Sequence, residues 1–472
     1  MVAELKKFPK AISIWKLMGP SFIILALGLG SGEVILWPYL TSNFGLGLAW
    51  GALLGISFQY FINMEIERYA LVKGESVFVG LVKKFKFAPY WFILSTFLGF
   101  ALPGIIAASA QALATVFGWD NFKWLAMGLL IFVGVILSIG KIVYTMMERI
   151  TKLVIFIGVP LIFIITLYLA KSADWIALGQ GLVGIGDGYY FLPEGIALAT
   201  FLAAFAYSGA GGNLNLSQSI YIKEKGYGMG KYSQKISGLF KIKKEQEIKL
   251  TGERFDLNQQ SIHRFHIWWK RINTEHLIVF WFIGLLAMSL LMLLSYITAY
   301  GANNNAEGIN FVINQGIMIG KNIFPWIGSA FLIIVGIMLF QTQLGVLDST
   351  SRIMAENVAL KMKKDKINLS KIYFIFVWSQ IAFGVILFLL NIYEPKTLIV
   401  IGAVINAVAM FVHVGLVSRL NHTSLPKVFR PRIWRRIVIL IIFVFFGVFS
   451  AITLFSKFGW IEVWQNVFNC FK

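Results

Sequence analysis

Gly19-Pro-Ser-Phe-Ile-Ile-Leu-Ala-Leu-Gly-Leu-Gly-Ser-Gly-Glu-Val-Ile-Leu-Trp-Pro38 is an apolar run weakened at one place, where Gly28, Gly30, Ser31 and Gly32 crowd together and Glu33 follows. Each glycine in a helix interior costs about 1 kcal/mol relative to alanine, so the cluster predicts local unwinding. A second stretch, Phe205-Ala-Tyr-Ser-Gly-Ala-Gly-Gly-Asn-Leu-Asn-Leu-Ser-Gln218, repeats the pattern at Ser208 to Gly212, followed by Asn213 and Asn215. Unwound backbone at membrane depth is tolerated only when buried in protein or lining a polar cavity. One such cluster alone fits a small-residue packing face. The two together occupy the first and sixth apolar runs, and an offset of five spans inverts the second unit relative to the first. Interrupted helices in matching positions of two inverted halves point to the binding site of a secondary transporter.

The rest of the chain agrees with a membrane setting. Of its 472 residues 58% are hydrophobic and 14% charged, against about 25% charged in a soluble domain. Runs near 17–40, 45–69, 89–117, 122–139, 152–170, 196–219, 277–300, 323–348, 372–391, 396–418 and 434–456 are each long enough to cross a bilayer. The expected fold is therefore an all-α polytopic membrane protein of 11 transmembrane helices, a five-plus-five inverted repeat with one helix appended and helices one and six broken. The corresponding divisions are 1–171 for the first half, 172–220 for span six and its preceding external loop, 221–275 for a basic cytoplasmic loop, 276–419 for spans seven to ten, and 420–472 for span eleven and the C-terminus. Alternate segments (the N-terminus, 68–86, 141–152, 221–275, 350–372 and 419–436) hold 36 of the 42 Lys and Arg residues. The positive-inside rule then puts the N-terminus in the cytoplasm and the C-terminus outside, in a plasma-membrane protein. The net charge of +20 is topology, and no nucleic-acid partner is needed to explain it.

The 221–275 segment contains Lys241-Ile-Lys-Lys-Glu and His263-Arg-Phe-His-Ile-Trp-Trp-Lys-Arg271. Its basic, aromatic composition reads as a stretch lying on the inner headgroup surface. The pair His263 and His266 lacks a third ligand nearby. A lone cysteine, Cys470, excludes an internal disulfide. The apolar run after Lys16 is too long for a signal peptide and reads as the first span.

These motifs resemble the Nramp family of divalent-metal transporters, which share the LeuT-type fold. Gly19-Pro20 is similar to the family's opening Gly-Pro. Gly30-Ser-Gly-Glu33 falls where the family has Asp-Pro-Gly-Asn, and Asn213-Leu-Asn-Leu-Ser217 resembles the Asn-Leu-x-Leu that follows its Met-Pro-His. Under that alignment the family's metal-binding aspartate position is Gly30, its asparagine position Glu33, its methionine position Ala210 and its histidine position Gly212. Span three carries no acid between Leu94 and Phe117, where the family's proton route usually has one. The resemblance implies a divergent branch that keeps the architecture and rewrites the site.

Glu33 is the leading candidate residue, since an ionisable group in a span is costly unless compensated. Its carboxylate is expected either to cap the amides of the following half-helix or to bind a cation or proton. Asn213, Asn215 and Gln218 could add neutral oxygens, as could carbonyls freed between Tyr207, Gly209 and Ala210. With Gly30 and Gln341 these make up the expected ion-binding set, and Glu33 with Asn213 are the metal-ligand candidates. One carboxylate with neutral oxygens suits a hard cation such as Mg²⁺ or Mn²⁺, and the loss of a thioether removes the preference for softer ions. Glu67/Arg68 and Asp348/Arg352 are expected as ion pairs or gate elements at the inner mouth, and His413, seven residues after Asn406, as a proton-relay candidate. Gln341 and Gln343 point to different faces, so at most one reaches the cavity. No resident cofactor is expected. No HExxH, GxSxG or P-loop pattern supports an enzyme. The expected function is secondary active transport of a divalent cation coupled to H⁺ or Na⁺, with a cation-coupled carrier of an amino acid or other small organic solute as the alternative.

Overall fold

A backbone that cannot hydrogen-bond to water must satisfy itself, and in an apolar chain with no strand-length alternation the helix is the available solution. The computed structural model describes residues 5–17, 19–139, 143–186, 188–233, 250–362 and 368–457. Lys241 to Glu245 and Cys470 lie outside the described residues. Helices α1 (Pro20–Gly28) and α2 (Trp37–Phe44) flank the first break. They are followed by α3 (Ala49–Lys73), α4 (Val77–Lys84), α5 (Ala88–Phe100), α6 (Gly104–Phe117), α7 (Phe122–Ile139), α8 (Val143–Leu169) and α9 (Ser172–Gly181). The second half comprises α10 (Leu198–Ala206), α11 (Leu214–Lys225), α12 (Gln259–His276), α13 (Ile283–Ala299) and α14 (Asn310–Asn322). It ends with α15 (Pro325–Met362), α16 (Leu369–Leu389), α17 (Pro395–Ser424) and α18 (Ile433–Lys457).

Ten helical segments among the described residues are long and apolar enough to cross a membrane. The sixth expected span is not among them, because α10 and α11 are two short helices separated by residues 207–213. The count by length alone is therefore ten, with this split pair as the candidate eleventh crossing.

The two breaks differ in kind. In the first, only Leu29 and Gly30 leave helical geometry, and Ser31–Leu36 form a wide π-helical turn that carries Glu33. The unwinding is thus narrower than the cluster from Gly28 to Gly32, because Ser31 and Gly32 already belong to the wide turn. Gly32 is indispensable here, since a Cβ on it would lie 1.8 Å from the Tyr207 carbonyl oxygen. In the second break the backbone turns left-handed three times, at Gly209 (φ +119°), Gly211 (+71°) and Gly212 (+51°). Residues with a Cβ rarely adopt such angles, so a helix cannot run through.

The basic segment before span seven is a correction to the sequence reading. Gln259–Ala299 form one 41-residue helical run, so α12 is an N-terminal extension of α13 and not part of a loop. Its aromatic face is buried: Phe265 and Trp268 are 1% exposed, Trp268 donates its indole N–H to the Pro9 carbonyl (3.1 Å) and Phe8 packs edge-on against Phe265. This buried stripe covers the N-terminal segment. His263 and His266 point outward. Likewise α15 continues well past the expected end near residue 348, to Met362, because a buried ion-pair cluster compensates its polar turn.

Candidate functional site

The two breaks touch. The Tyr207 carbonyl faces Gly32, and a Cβ on Gly28 would lie 2.6 Å from the Gly209 Cα and 2.9 Å from Glu33 Oε1. A Cβ on Gly284 of α13 would lie 3.8 Å from the same oxygen. The Glu33 carboxylate thus occupies space left by the missing side chain of Gly28 and bordered by Gly284. It is fully buried, and neither oxygen has a hydrogen-bond partner among the described residues. The capping arrangement, with backbone amides donating to it, is not formed.

Neighbouring polar groups hold the second break in shape. Gln59 of α3 donates to the Ala206 carbonyl (2.9 Å) and accepts from the Gly211 N–H (3.0 Å). Trp37 donates its indole N–H to Ser208 Oγ (2.8 Å). Asn406 of α17 donates to the Gly99 carbonyl and to the Tyr207 phenol oxygen, both at 2.9 Å, which ties Tyr207 and the break to α5 and α17. Asn213 donates to Ser95 (2.8 Å) and Thr96 (3.0 Å) on α5, so its nitrogen is structural. Its Oδ1 has no partner among the described residues, nor have Asn406 Oδ1 and both amide atoms of Asn215 and of Asn63. All four side chains are fully buried. Buried amide atoms left bare are costly, by about 1–3 kcal/mol each. Of these, Asn406 Oδ1 lies against Gly212 of the second break and Asn213 stands where that break ends; with the Glu33 carboxylate they are bare oxygens located at the breaks. Among the described residues no three His, Cys, Asp or Glu side chains converge as a metal site, so any metal would depend on a single carboxylate and neutral oxygens.

Other candidates are placed elsewhere. Gln341 donates to Thr151 of α8 (3.0 Å). Its neighbour Thr342 is the α15 residue at the break, donating to the Ala26 carbonyl (2.9 Å) and packing against Gly30. Ala210 is buried in the second break. His413 is fully buried, and neither ring nitrogen meets another side chain among the described residues.

Further along α3, Glu67 and Arg68 do not pair with each other. Arg68 bonds Glu65 (2.8 Å), and Arg435 of α18 joins the same carboxylate (3.0 Å). Adjacent helical residues point about 100° apart, whereas residues three apart share a face. Glu67 instead accepts from Gln218 of α11 (2.6 Å) and lies 3.4 Å from His276 Nδ1. Ser21 of α1 bridges onward, 2.5 Å from Glu275 and 2.8 Å from His276. One face of α3 therefore carries Gln59 at the break, Asn63, and Glu67 at this cluster, spaced four residues apart. Asp348 and Arg352 do pair, at 2.8 Å. Arg352 also reaches Glu224 (2.5 Å), while Tyr373 and Tyr221 donate to Asp348 (2.8 and 3.0 Å). Sequence reasoning missed Thr342, Ser21, Glu275 and His276; the Glu-His pair directly before the apolar run of span seven was the one available signal.

No protein-family model and no curated protein sequence matches this chain. Solved structures do. A manganese transporter of Eremococcus coleocola, as a point mutant, superposes with a TM-score of 0.72 at 11% identity, over 97% of this chain and 90% of that one. The same transporter in complex with an aromatic bis-isothiourea substituted compound gives 0.70 at 12% identity, over 96% and 90%. A nucleobase-cation-symport-1 family transporter in a closed conformation, with bromovinylhydantoin bound, gives 0.53 at 13% identity, over 96% and 93%. The chain thus has the fold expected for it, an all-α multi-pass membrane protein of the LeuT type.

Proposed function

We propose that the protein is a secondary active transporter of a divalent cation of the Mn²⁺ or Mg²⁺ kind, working by alternating access with its site at the two breaks. The observation that carries this reading is the Glu33 carboxylate, buried, bare of partners among the described residues and set against both breaks. An ionised carboxylate in that position costs several kcal/mol, so it must hold a proton or face a cation during the working cycle. Amide oxygens of Asn213 and Asn215 and carbonyls of the second break are its natural companions, a set suited to a hard, partly hydrated ion. The manganese transporter with the same fold supports the ion class.

Coupling to a proton is part of the proposal. Glu67 and Glu275 share a buried cluster with the His276 imidazole. Lys152 and Lys225, which pair with Glu148 at 2.7 and 2.8 Å, also act on Glu275; three carboxylates against two ammonium groups leave one net negative charge, which a single proton in the cluster cancels. The cluster joins α1 and α11, the inner halves of both broken helices, to α3 and to the inner start of span seven, so its proton content bears on whether those halves stay latched. The excess of Lys and Arg on alternate segments supports a plasma-membrane orientation with the N-terminus in the cytoplasm and the C-terminus outside.

The test is uptake into proteoliposomes of Mn²⁺, Mg²⁺, Ca²⁺ and a panel of amino acids, with and without an inward proton gradient, beside Glu33→Gln. Metal uptake driven by the gradient and lost in the variant is the expected result. Folded protein that carries amino acids and no metal would replace this reading with the organic-solute one.

A further inference from the structure

The inner side of the molecule carries more cations than its folding uses. Arg264 and Arg271 of α12 donate to the carbonyls of Phe8 (2.7 Å) and Ala11 (3.0 Å) and so pin the N-terminal segment. Arg68 and Arg435 share the single buried carboxylate of Glu65. Their guanidinium groups also lie over the Trp269 ring, at 3.9 and 5.1 Å from its centre. One negative charge therefore faces two rigidly held positive ones. Lys270 and Arg432 are exposed and have no acidic partner among the described residues.

These leftover charges are not scattered. Arg68, Lys270, Arg430, Arg432 and Arg435 line one cavity of about 420 Å³ between α12, α18 and the segment before α18. Trp269 and Trp434 form aromatic walls of the same cavity, and Trp434 is about half exposed. From its rim an apolar stripe runs down the outer face of α18 through Ile433, Ile437, Leu440, Ile441 and Val444, each at least 51% exposed. A basic, aromatic-walled cavity opening onto an exposed apolar helix face has the two-part chemistry of an anionic phospholipid: a phosphate head for the guanidinium groups and acyl chains for the stripe. A soluble phosphate would have no use for the stripe.

We infer that this cavity is a specific seat for the headgroup of an anionic phospholipid of the inner leaflet, with Lys270 and Arg432 as the charges that select it and Arg68 and Arg435 as its preorganised floor. The seat is independent of what the protein transports. It also joins α18 to α12, and through the Arg435–Asn273 hydrogen bond (2.8 Å) a bound headgroup would brace the helix that carries Glu275 and His276.

The test is native mass spectrometry of the full-length protein in detergent, titrated with phosphatidylglycerol or phosphatidylcholine. Phosphatidylglycerol is expected to fill one tight site per chain, at least tenfold tighter than phosphatidylcholine. Each basic residue near an anionic surface contributes roughly a fivefold effect, so the double variant Lys270→Gln, Arg432→Gln should weaken that site by on the order of 20-fold. A control pair on the same basic side, Lys361→Gln with Lys371→Gln, removes the same charge and should change the site by less than about twofold. The single variants Lys270→Gln and Arg432→Gln, each expected to show its own share of the loss, stand in if the double variant is unstable. Equal binding of the two lipids, or equal losses in the two variant pairs, would overturn the seat in favour of a diffuse charge effect. Displacement of the bound lipid by millimolar glycerol phosphate would overturn the lipid assignment in favour of a soluble phosphate ligand.

Discussion

Glu33 and Asp348 are both fully buried acids, yet the protein treats them in opposite ways. Asp348 receives Arg352 on both oxygens, at 2.8 and 2.9 Å, and two tyrosine hydroxyls besides. Glu33 receives nothing among the described residues. Burial therefore does not distinguish a fastener from a site; the hydrogen-bond account does. A carboxylate whose lone pairs are engaged holds helices together. In the function proposed, one left bare among the described residues beside Gly28 and Gly284 is the group that takes a proton or a cation.

The comparison can be broken by mutation. Arg352→Met should have the largest effect, because it strands Asp348 and Glu224 as buried, uncompensated charges; the expected loss is about 3–5 kcal/mol. Thermal unfolding in detergent reads it, and an unchanged midpoint would remove the fastener role. Glu33→Gln should show the reverse signature. Uptake is expected to fall on the order of 100-fold, the equivalent of losing a contact to a charged group worth about 3 kcal/mol. The unfolding midpoint should hold or rise, since a neutral isostere no longer buries a bare charge. A Glu33→Gln protein that melts several degrees lower would mark that carboxylate as structural.

Smaller effects sharpen the contrast. Glu67→Gln should leave downhill flux within about threefold of the unmodified protein while abolishing stimulation by an inward proton gradient; stimulation that survives would place coupling elsewhere. Thr342→Val should cost about 1 kcal/mol of stability, one hydrogen bond to the carbonyl before the break, and should also slow uptake. Gln341→Leu, one residue earlier, should lose no more stability than that and leave uptake unchanged. If the two α15 variants behave alike, the break is not supported from that helix in the way the Ala26–Thr342 bond implies.

Much of the architecture was legible before any coordinates. Long apolar runs require helices, and two clusters of small residues in the first and sixth runs required two interruptions. Within the site the reading was uneven. Glu33 stood out because a lone acid in an apolar run is expensive, and the structure does bring it to both breaks. Gln341 and Thr342 were indistinguishable in the same sense, because both are polar and only the rotational setting of α15 decides which faces Gly30. Glu67 and Arg68 looked like partners through adjacency, although neighbours on a helix diverge. His276 was hidden at the edge between a basic stretch and a span, where composition blurs.

By itself the sequence determined the class of fold, the two breakpoints and the single acid beside the first of them. Each of these follows from local energetics: transfer to an apolar medium, helix propensity and the cost of a buried charge. Only the tertiary structure decided that Glu33 has no partner among the described residues, that Asn213 spends its nitrogen on α5, and that Glu67 answers to His276 rather than to Arg68. Those outcomes depend on which faces of distant helices meet, and that is set by packing over the whole bundle.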